Sequence, residues 1–208
     1  MQHLNTLKKQ KFSISTIFVT STRRHSLKYK LILHFKHTGM STNNNSTAKA
    51  IIEQVKNNTT SWIGQSAGDN KELLCGQTFI ALSEGDLSAI EVFPNMVTTP
   101  GNMVMTLHNF DPQMRTWGPA IGSASVDLNI SNSEKWVSFH IPGMHLNKGK
   151  TYGFRLGSPN SYIGVGEAAG SHAQPPFENG EEWQFTHTDQ KGNSFSYFSL
   201  AFKVELRA

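Results

Sequence analysis

The stretch Met103-Val-Met-Thr-Leu-His108 decides the fold class of this chain, because its side chains alternate with a period of two residues. Met103, Met105 and Leu107 share one face of the predicted strand, and the residues between them share the other. The stretch Lys135-Trp-Val-Ser-Phe-His-Ile141 repeats the pattern. One-sided alternation is typical of antiparallel strands with one face in a core and the other in solvent.

Similar short runs fill the chain from Lys71 onward, and turn residues such as Pro100-Gly101, Asp111-Pro112 and Pro142-Gly143 separate them. Many short strands without intervening helices predict an all-β, antiparallel two-sheet sandwich. Their number favours a jelly roll over an immunoglobulin-like sandwich. The strands are predicted at 73–81, 86–93, 102–109, 121–128, 135–141, 151–157, 161–165, 181–188 and 196–206.

Composition excludes several other classes of protein. The 208 residues, 23.1 kDa, suffice for one domain with appendages. Charged residues make up only 16% of the chain, which argues against a coiled coil. No apolar run approaches the ~20 residues of a membrane-spanning helix, so no membrane span is predicted.

Residues 1–39 form a basic arm with eight Lys or Arg and neither Asp nor Glu, whereas the rest of the chain is net acidic. The arm lacks the continuous apolar segment of a secretory signal, because Phe12-Ser-Ile-Ser-Thr-Ile-Phe-Val19 is interrupted by Ser and Thr. A basic arm can contact nucleic acid or an anionic membrane. We nevertheless predict a disordered extension and expect no nucleic-acid partner.

One helix is predicted over residues 46–57. Ala48, Ile51, Ile52 and Val55 follow the spacing i, i+3, i+4 and i+7, which places them on one apolar stripe. Such a helix is expected to pack against the β domain. The chain is thus divided into the arm at 1–39, a helix and linker at 40–70, and a sandwich at 71–207.

Several segments carry a resemblance to a known class of module. Cys75-Gly-Gln-Thr-Phe79, Glu84-Gly-Asp-Leu-Ser-Ala-Ile-Glu-Val-Phe93 and Trp136-Val-Ser-Phe139 resemble carbohydrate-binding-module-like or galactose-binding-like jelly-roll modules of bacterial secreted and surface proteins. The resemblance spans about 75–206 and covers no catalytic motif. It implies non-catalytic recognition of a carbohydrate or other small ligand, an extracellular or cell-surface location, and a possible structural calcium ion.

Loop aromatics with neighbouring polar groups are the candidate sugar-binding residues. A sugar offers an apolar ring face to an aromatic side chain and hydroxyls to amides, carboxylates or Arg. Trp117 is the leading candidate, because it lies in a predicted loop rich in Gly and Pro, and its alternative role is to anchor that loop. The full set comprises Arg115, Trp117, Asn160, Tyr162, Phe177 and Glu178.

Other functions have weaker support. No Gly-rich phosphate loop and no His-Glu-x-x-His motif occurs, so no enzyme is predicted. A jelly-roll glycoside hydrolase and a structural component of a surface, appendage or virion stay as alternatives, and the oligomeric state stays open. Cys75 is expected to be buried in a strand. No transition-metal site is predicted, and calcium ligands are guessed at Asp69, Asp86 or Asp189.

Overall fold

The structure of the chain is a computed structural model that describes residues 49–65, 72–186 and 188–207. The predicted basic arm at 1–39 lies outside these ranges. The described residues are nearly all antiparallel β-structure, with no α-helix and one 3-10 turn at Ile130–Asn132. The strands are β1 (Lys49–Gln54), β2 (Thr59–Gln65), β3 (Glu72–Ile80), β4 (Gly85–Val92), β5 (Pro94–Val97), β6 (Gly101–Asp111), β7 (Thr116–Leu128), β8 (Val137–Phe139), β9 (His145–Leu146), β10 (Thr151–Gly157), β11 (Tyr162–Ala169), β12 (Glu182–Thr186), β13 (Asn193–Phe195), β14 (Phe198–Leu200) and β15 (Phe202–Arg207).

These strands form two sheets. The smaller has the order β1-β15-β4-β8, with β9 also paired to β4. The larger has the order β14-β11-β2-β3-β10-β6-β7, with β5 paired to β11, β12 to β3, and β13 to β12. Two antiparallel sheets confirm the all-β prediction. The jelly-roll order is not confirmed, because the sheets have five and ten strands instead of two similar sets.

The larger sheet consists of two halves. The β11 half contains β14, β11, β2 and β5, and the β10 half contains β12, β13, β3, β10, β6 and β7. The ladder between β2 and β3 is short, pairing Gly64 with Leu73 and Gln65 with Glu72. Gly64 has a φ of +90°, and a Cβ there would lie 1.9 Å from the carbonyl oxygen of Ser161. Only glycine fits this junction.

Aromatic side chains fill the core between the smaller sheet and the β10 half. The ring of Phe202 on β15 lies 6.3 Å from that of Phe79 on β3 and 5.7 Å from that of Phe154 on β10. All three side chains are fully buried. The opposite side of β12, β3, β10, β6 and β7, turned away from this core, is called the outer face below.

The predicted helix at 46–57 is wrong for the residues that the structure describes. Lys49–Gln54 form strand β1, which pairs with β15. Ile52 is 3% exposed and faces the core, whereas Ile51 is 49% exposed. Ile51 and Ile52 therefore point to opposite sides of a strand and do not share the apolar stripe of a helix. Their β-branched side chains favour an extended conformation, which pairing with β15 stabilises.

Each of the nine predicted strands overlaps observed β-structure, although the one predicted at 196–206 is divided into β14 and β15. Five strands were missed: β1, β2, β5, β9 and β13. The expected linker after residue 58 contains β2, which pairs with β11. Trp117 was expected in a loop, whereas it is the second residue of β7. Cys75 is buried in β3, as expected.

Candidate functional site

Trp117 lies across the outer face on two glycines. A Cβ at Gly153 would lie 2.5 and 2.6 Å from carbons of the Trp117 ring, and a Cβ at Gly76 would lie 3.2 Å from it. Gly153 belongs to β10 and Gly76 to β3, two strands that pair with each other. The indole therefore reaches from β7 over β10 toward β3 because these positions carry no side chain.

The Trp117 ring joins a cluster of aromatic rings, called the outer cluster. Its centroid lies 5.4 Å from Phe110, 5.4 Å from Phe185 and 5.8 Å from Trp183, with steep interplanar angles typical of edge-to-face contacts. Alternation along β12 directs Trp183 and Phe185 to this face. Both are almost completely buried, whereas Trp117 is only half-buried.

Two ionic side chains lie beside the outer cluster. Arg115 stands in the turn between β6 and β7 with a φ of 53°, and its Nη2 lies 2.7 Å from Oε1 of Glu181. Its guanidinium is 5.4 Å from the ring centroid of Trp183. The pair thus presents hydrogen-bond donors and acceptors next to aromatic surface.

Arg155 and His108 border the outer cluster on its other side. The guanidinium of Arg155 lies 4.6 Å from the ring of Trp117 and 4.0 Å from that of Phe185. His108 Nδ1 is 2.9 Å from the carbonyl oxygen of Gly118, and Nε2 is 2.8 Å from Oγ1 of Thr106. Burial lowers the pKa of His108, so its imidazole is neutral at pH 7.

Two open grooves meet at the outer face. The first, of about 570 Å³, is lined by Trp117, Phe110, Lys150 and the β6–β7 turn. The second, of about 280 Å³, is lined by Arg115 and the 175–181 segment. Both grooves include Phe110, Pro112 and Thr151 among their walls.

Four of the six predicted site residues line these two grooves. Trp117 lines the first, and Arg115, Phe177 and Glu178 line the second. Glu178 is exposed, whereas Phe177 packs against the core with its ring 5.2 Å from Phe202. Phe177 therefore closes the end of the sandwich as well as bordering the groove.

The other two predicted residues belong to a separate pocket of about 460 Å³. Tyr162 is the first residue of β11, not a loop residue, and its ring stacks on Trp62 at 4.5 Å. Asn160 lies in the turn before β11, where its Oδ1 accepts a hydrogen bond from the backbone N–H of Asn102 at 2.8 Å. The structure thus separates Asn160 and Tyr162 from the outer face.

Sequence reasoning missed part of the outer face. Phe110, Phe185 and Arg155 contact Trp117 there, yet none was a candidate. The alternation of Trp183 and Phe185 on β12 was the available signal. Gly76 and Gly153, which make room for the indole, give no signal in the sequence alone.

The structure describes two of the three aspartates proposed as calcium ligands. The Asp86 side chain is exposed, and its Oδ1 lies 2.7 Å from Nδ1 of His145. The Oδ1 of Asp189 accepts the backbone N–H groups of Lys191 and Gly192 within a tight turn. Asp69 lies outside the described residues. Across residues 49–65, 72–186 and 188–207, no three His, Cys, Asp or Glu side chains are close enough together to hold a metal ion.

Two features bear on the hydrolase alternative. Glu181 pairs with Arg115 on the outer face, whereas the neighbouring Glu182 is fully buried, so the two carboxylates point to opposite sides. Gly64-Gln-Ser-Ala-Gly68 matches the Gly-x-Ser-x-Gly pattern of esterases. Its first two residues are the last two of β2, and its other three lie outside the described residues.

None of the described residues forms a helix with the length and apolar character that a membrane crossing requires.

Comparison with known protein families and with curated proteins finds no match. Two similar solved structures are both of Cwp84. One, a clostridial cysteine protease after propeptide cleavage, is 12% identical with a TM-score of 0.47, over 77% of this chain and 40% of that one. The other contains the cysteine protease and lectin-like domains of this surface-layer-associated protein of Clostridium difficile. It is 10% identical with a TM-score of 0.46, over 80% of this chain and 37% of that one. The chain thus spans about two fifths of their length, and its function must be argued from its own residues.

Proposed function

We propose that this chain is a non-catalytic binding module that recognises carbohydrate at the outer face. The observation that carries the proposal is the position of Trp117, a half-buried indole that lines a groove of about 570 Å³. An aromatic surface of this kind suits the apolar face of a pyranose ring. The extracellular or cell-surface location implied by the resemblance stays a prediction.

Polar groups around the grooves suit the hydroxyls of a sugar. Lys150 and Thr151 border the first groove, and Arg115, Glu178 and Glu181 border the second. Ion pairs such as Arg115–Glu181 offer a donor and an acceptor in fixed positions, which matches the paired donor and acceptor character of vicinal hydroxyls. Because the grooves share walls, one oligosaccharide can contact both.

A glycan array followed by calorimetry tests the proposal. Arg115→Ala removes hydrogen bonds from a charged group at the groove, so we expect it to weaken glycan binding by about ten- to hundredfold. Tyr162→Ala is the matched control, because Tyr162 lines the separate pocket and its loss should leave the affinity unchanged. Each variant is measured below its own melting temperature.

Three outcomes would contradict the proposal. Loss of binding in Tyr162→Ala with full binding in Arg115→Ala would place the ligand in the pocket of Asn160. A chain that binds no glycan but self-associates in light scattering would favour the alternative, an assembly component. Turnover of a bound glycan by the purified chain would favour the hydrolase.

A further inference from the structure

Arg155 lies on the outer face beside the Trp117 ring and lines neither of the two grooves. On β10 it pairs with Gly76 of β3 and with Thr106 of β6. Its guanidinium lies 4.6 Å from the ring centroid of Trp117 and 4.0 Å from that of Phe185. Cation–π contact with these two rings holds the guanidinium in place.

The guanidinium of Arg155 is a cation without a counterion. Its hydrogen bonds are two long contacts with Gln190, from Nη1 to Oε1 at 3.4 Å and from Nη2 to the backbone carbonyl oxygen at 3.3 Å. Its Nε is buried and has no hydrogen-bond partner among the described residues. Burial lowers the pKa of Arg155, and no carboxylate within residues 49–65, 72–186 and 188–207 counters this effect. A partly desolvated cation of this kind is costly unless an anion lies beside it.

A pocket of about 360 Å³, called the Arg155 pocket, opens beside this guanidinium. Leu74 on β3, Val104 on β6 and Pro159 give it apolar walls. Gly157, two residues after Arg155 on β10, carries no side chain, and a Cβ there would lie 3.2 Å from Leu74. The volume is within the range of small-ligand sites. None of the residues that line this pocket lines either groove, so it is a separate site on the same face.

The other titratable side chains of the pocket leave Arg155 as its positive charge. Nδ1 of the neutral His108 donates to a backbone carbonyl, and Nε2 therefore accepts the Thr106 hydroxyl. Glu72 also lines the pocket. It lies four residues along β3 from Gly76, the partner of Arg155, which is about 13 Å of strand. The pocket thus has a positive end and a negative end, with apolar walls between them.

We propose that the Arg155 pocket binds an organic acid, with the carboxylate on the guanidinium and the apolar body between Leu74 and Val104. One N–H on each Nη atom of Arg155 has no partner among the described residues, and a carboxylate can accept both. The apolar walls suit an acid with a hydrocarbon body better than an inorganic anion. The proposal does not rest on glycan binding, although a uronic acid offers the same carboxylate.

An NMR titration of the full chain tests the preference for a carboxylate. Hexanoate is the probe, and hexanamide, which has the same size and no charge, is its control. Hexanoate should shift the indole N–H of Trp117 and the amides of Arg155 and Gly157 with a dissociation constant in the millimolar range, whereas hexanamide should not. Glucuronate and glucose form a second pair. Shifts with glucuronate alone would identify an acidic sugar as the source of the carboxylate, and shifts with hexanoate alone would identify an aliphatic acid.

Three variants locate the site. Arg155→Gln should weaken hexanoate binding by about tenfold or more, because the carboxylate loses a charged partner. Arg207→Gln is the matched control, since it removes an exposed arginine of β15 in the smaller sheet and should bind like the parent. Because Arg155 also contacts two rings, Val104→Glu is the second test. Val104 pairs with Gly157, so the new carboxylate should occupy the pocket and abolish binding while Arg155 is intact.

Three results would overturn the proposal. They are the absence of shifts with either acid at about 20 mM, equal binding of hexanamide and hexanoate, and an unchanged hexanoate affinity in either variant of the pocket when circular dichroism shows that it is folded. The glycan proposal is tested separately by Arg115→Ala, and Arg115 does not line the Arg155 pocket. Either proposal can therefore fail without the other.

Discussion

Glu182→Gln should remove most of the pH dependence of stability that this buried carboxyl causes. In the folded chain the pKa of Glu182 is raised to about 9, mainly by burial, whereas an unfolded Glu has a pKa of about 4.3. Between these values the folded state holds a proton that the unfolded state releases. The free energy of unfolding therefore falls as pH rises, by about 1.4 kcal/mol per pH unit.

The stabilisation from this proton is complete below about pH 4.3 and is lost as pH rises through about 9. From pH 5.5 to pH 7.5 the expected loss is about 2.7 kcal/mol for this one group. A glutamine cannot titrate and keeps the same volume, so the variant should show little change over that interval. At pH 7.5 the variant should be the more stable protein.

Urea unfolding followed by tryptophan fluorescence at pH 5.5, 6.5 and 7.5 measures these free energies. Glu178→Gln serves as the control and should follow the parent, because its side chain is exposed. Equal pH dependence in the parent and in Glu182→Gln would refute the reasoning.

Scanning calorimetry checks four further predictions. Ile52→Asp should cost about 3 kcal/mol or more, because it buries a charge in the core, whereas Ile51→Asp should melt like the parent because Ile51 is 49% exposed. Gly64→Ala should cost about 3 kcal/mol or more, since its Cβ would meet a carbonyl oxygen at 1.9 Å. Trp117→Ala should cost about 3 kcal/mol and also abolish glycan binding measured by titration calorimetry. Deletion of residues 1–39 should leave the melting temperature unchanged.

Period-two alternation predicted the strands whose one face is apolar and whose other face is polar. β6 is the clearest case, since Met103, Met105 and Leu107 are fully buried while the residues between them face outward. β1 failed this criterion because its inward positions include Gln54, a polar residue whose amide Nε2 donates to the carbonyl of Lys56 and to those of Ser199 and Leu200. Ser199 and Leu200 lie 145 and 146 residues away in the sequence, so no local pattern indicates these two partners.

The candidate site shows the same limit. Arg115 and Trp117 were found because aromatic and charged residues near turns are conspicuous. The position of the Trp117 ring depends on Gly76 and Gly153, which leave room for it. This role becomes visible only when the pairing of β3 with β10 under the indole is known. Glu182 was not a candidate, because its contact with Glu167 depends on how β11 and β12 come together in the larger sheet.

The outer cluster limits how the binding proposal can be tested. Phe110, Trp183 and Phe185 are buried beneath or beside Trp117, so of these four rings only Trp117 is left partly open to a ligand. The same ring covers Gly153 and contacts the other three, which makes it part of the fold as well as of the groove. Removal of the indole therefore lowers stability and affinity together and cannot separate the two roles. Arg115 and Lys150 are exposed at the rim of the grooves and contribute little to the core. If their alanine variants lose affinity for the glycan while their stability stays unchanged, the outer face is a binding face. If they lose neither, the outer cluster is only a second hydrophobic core.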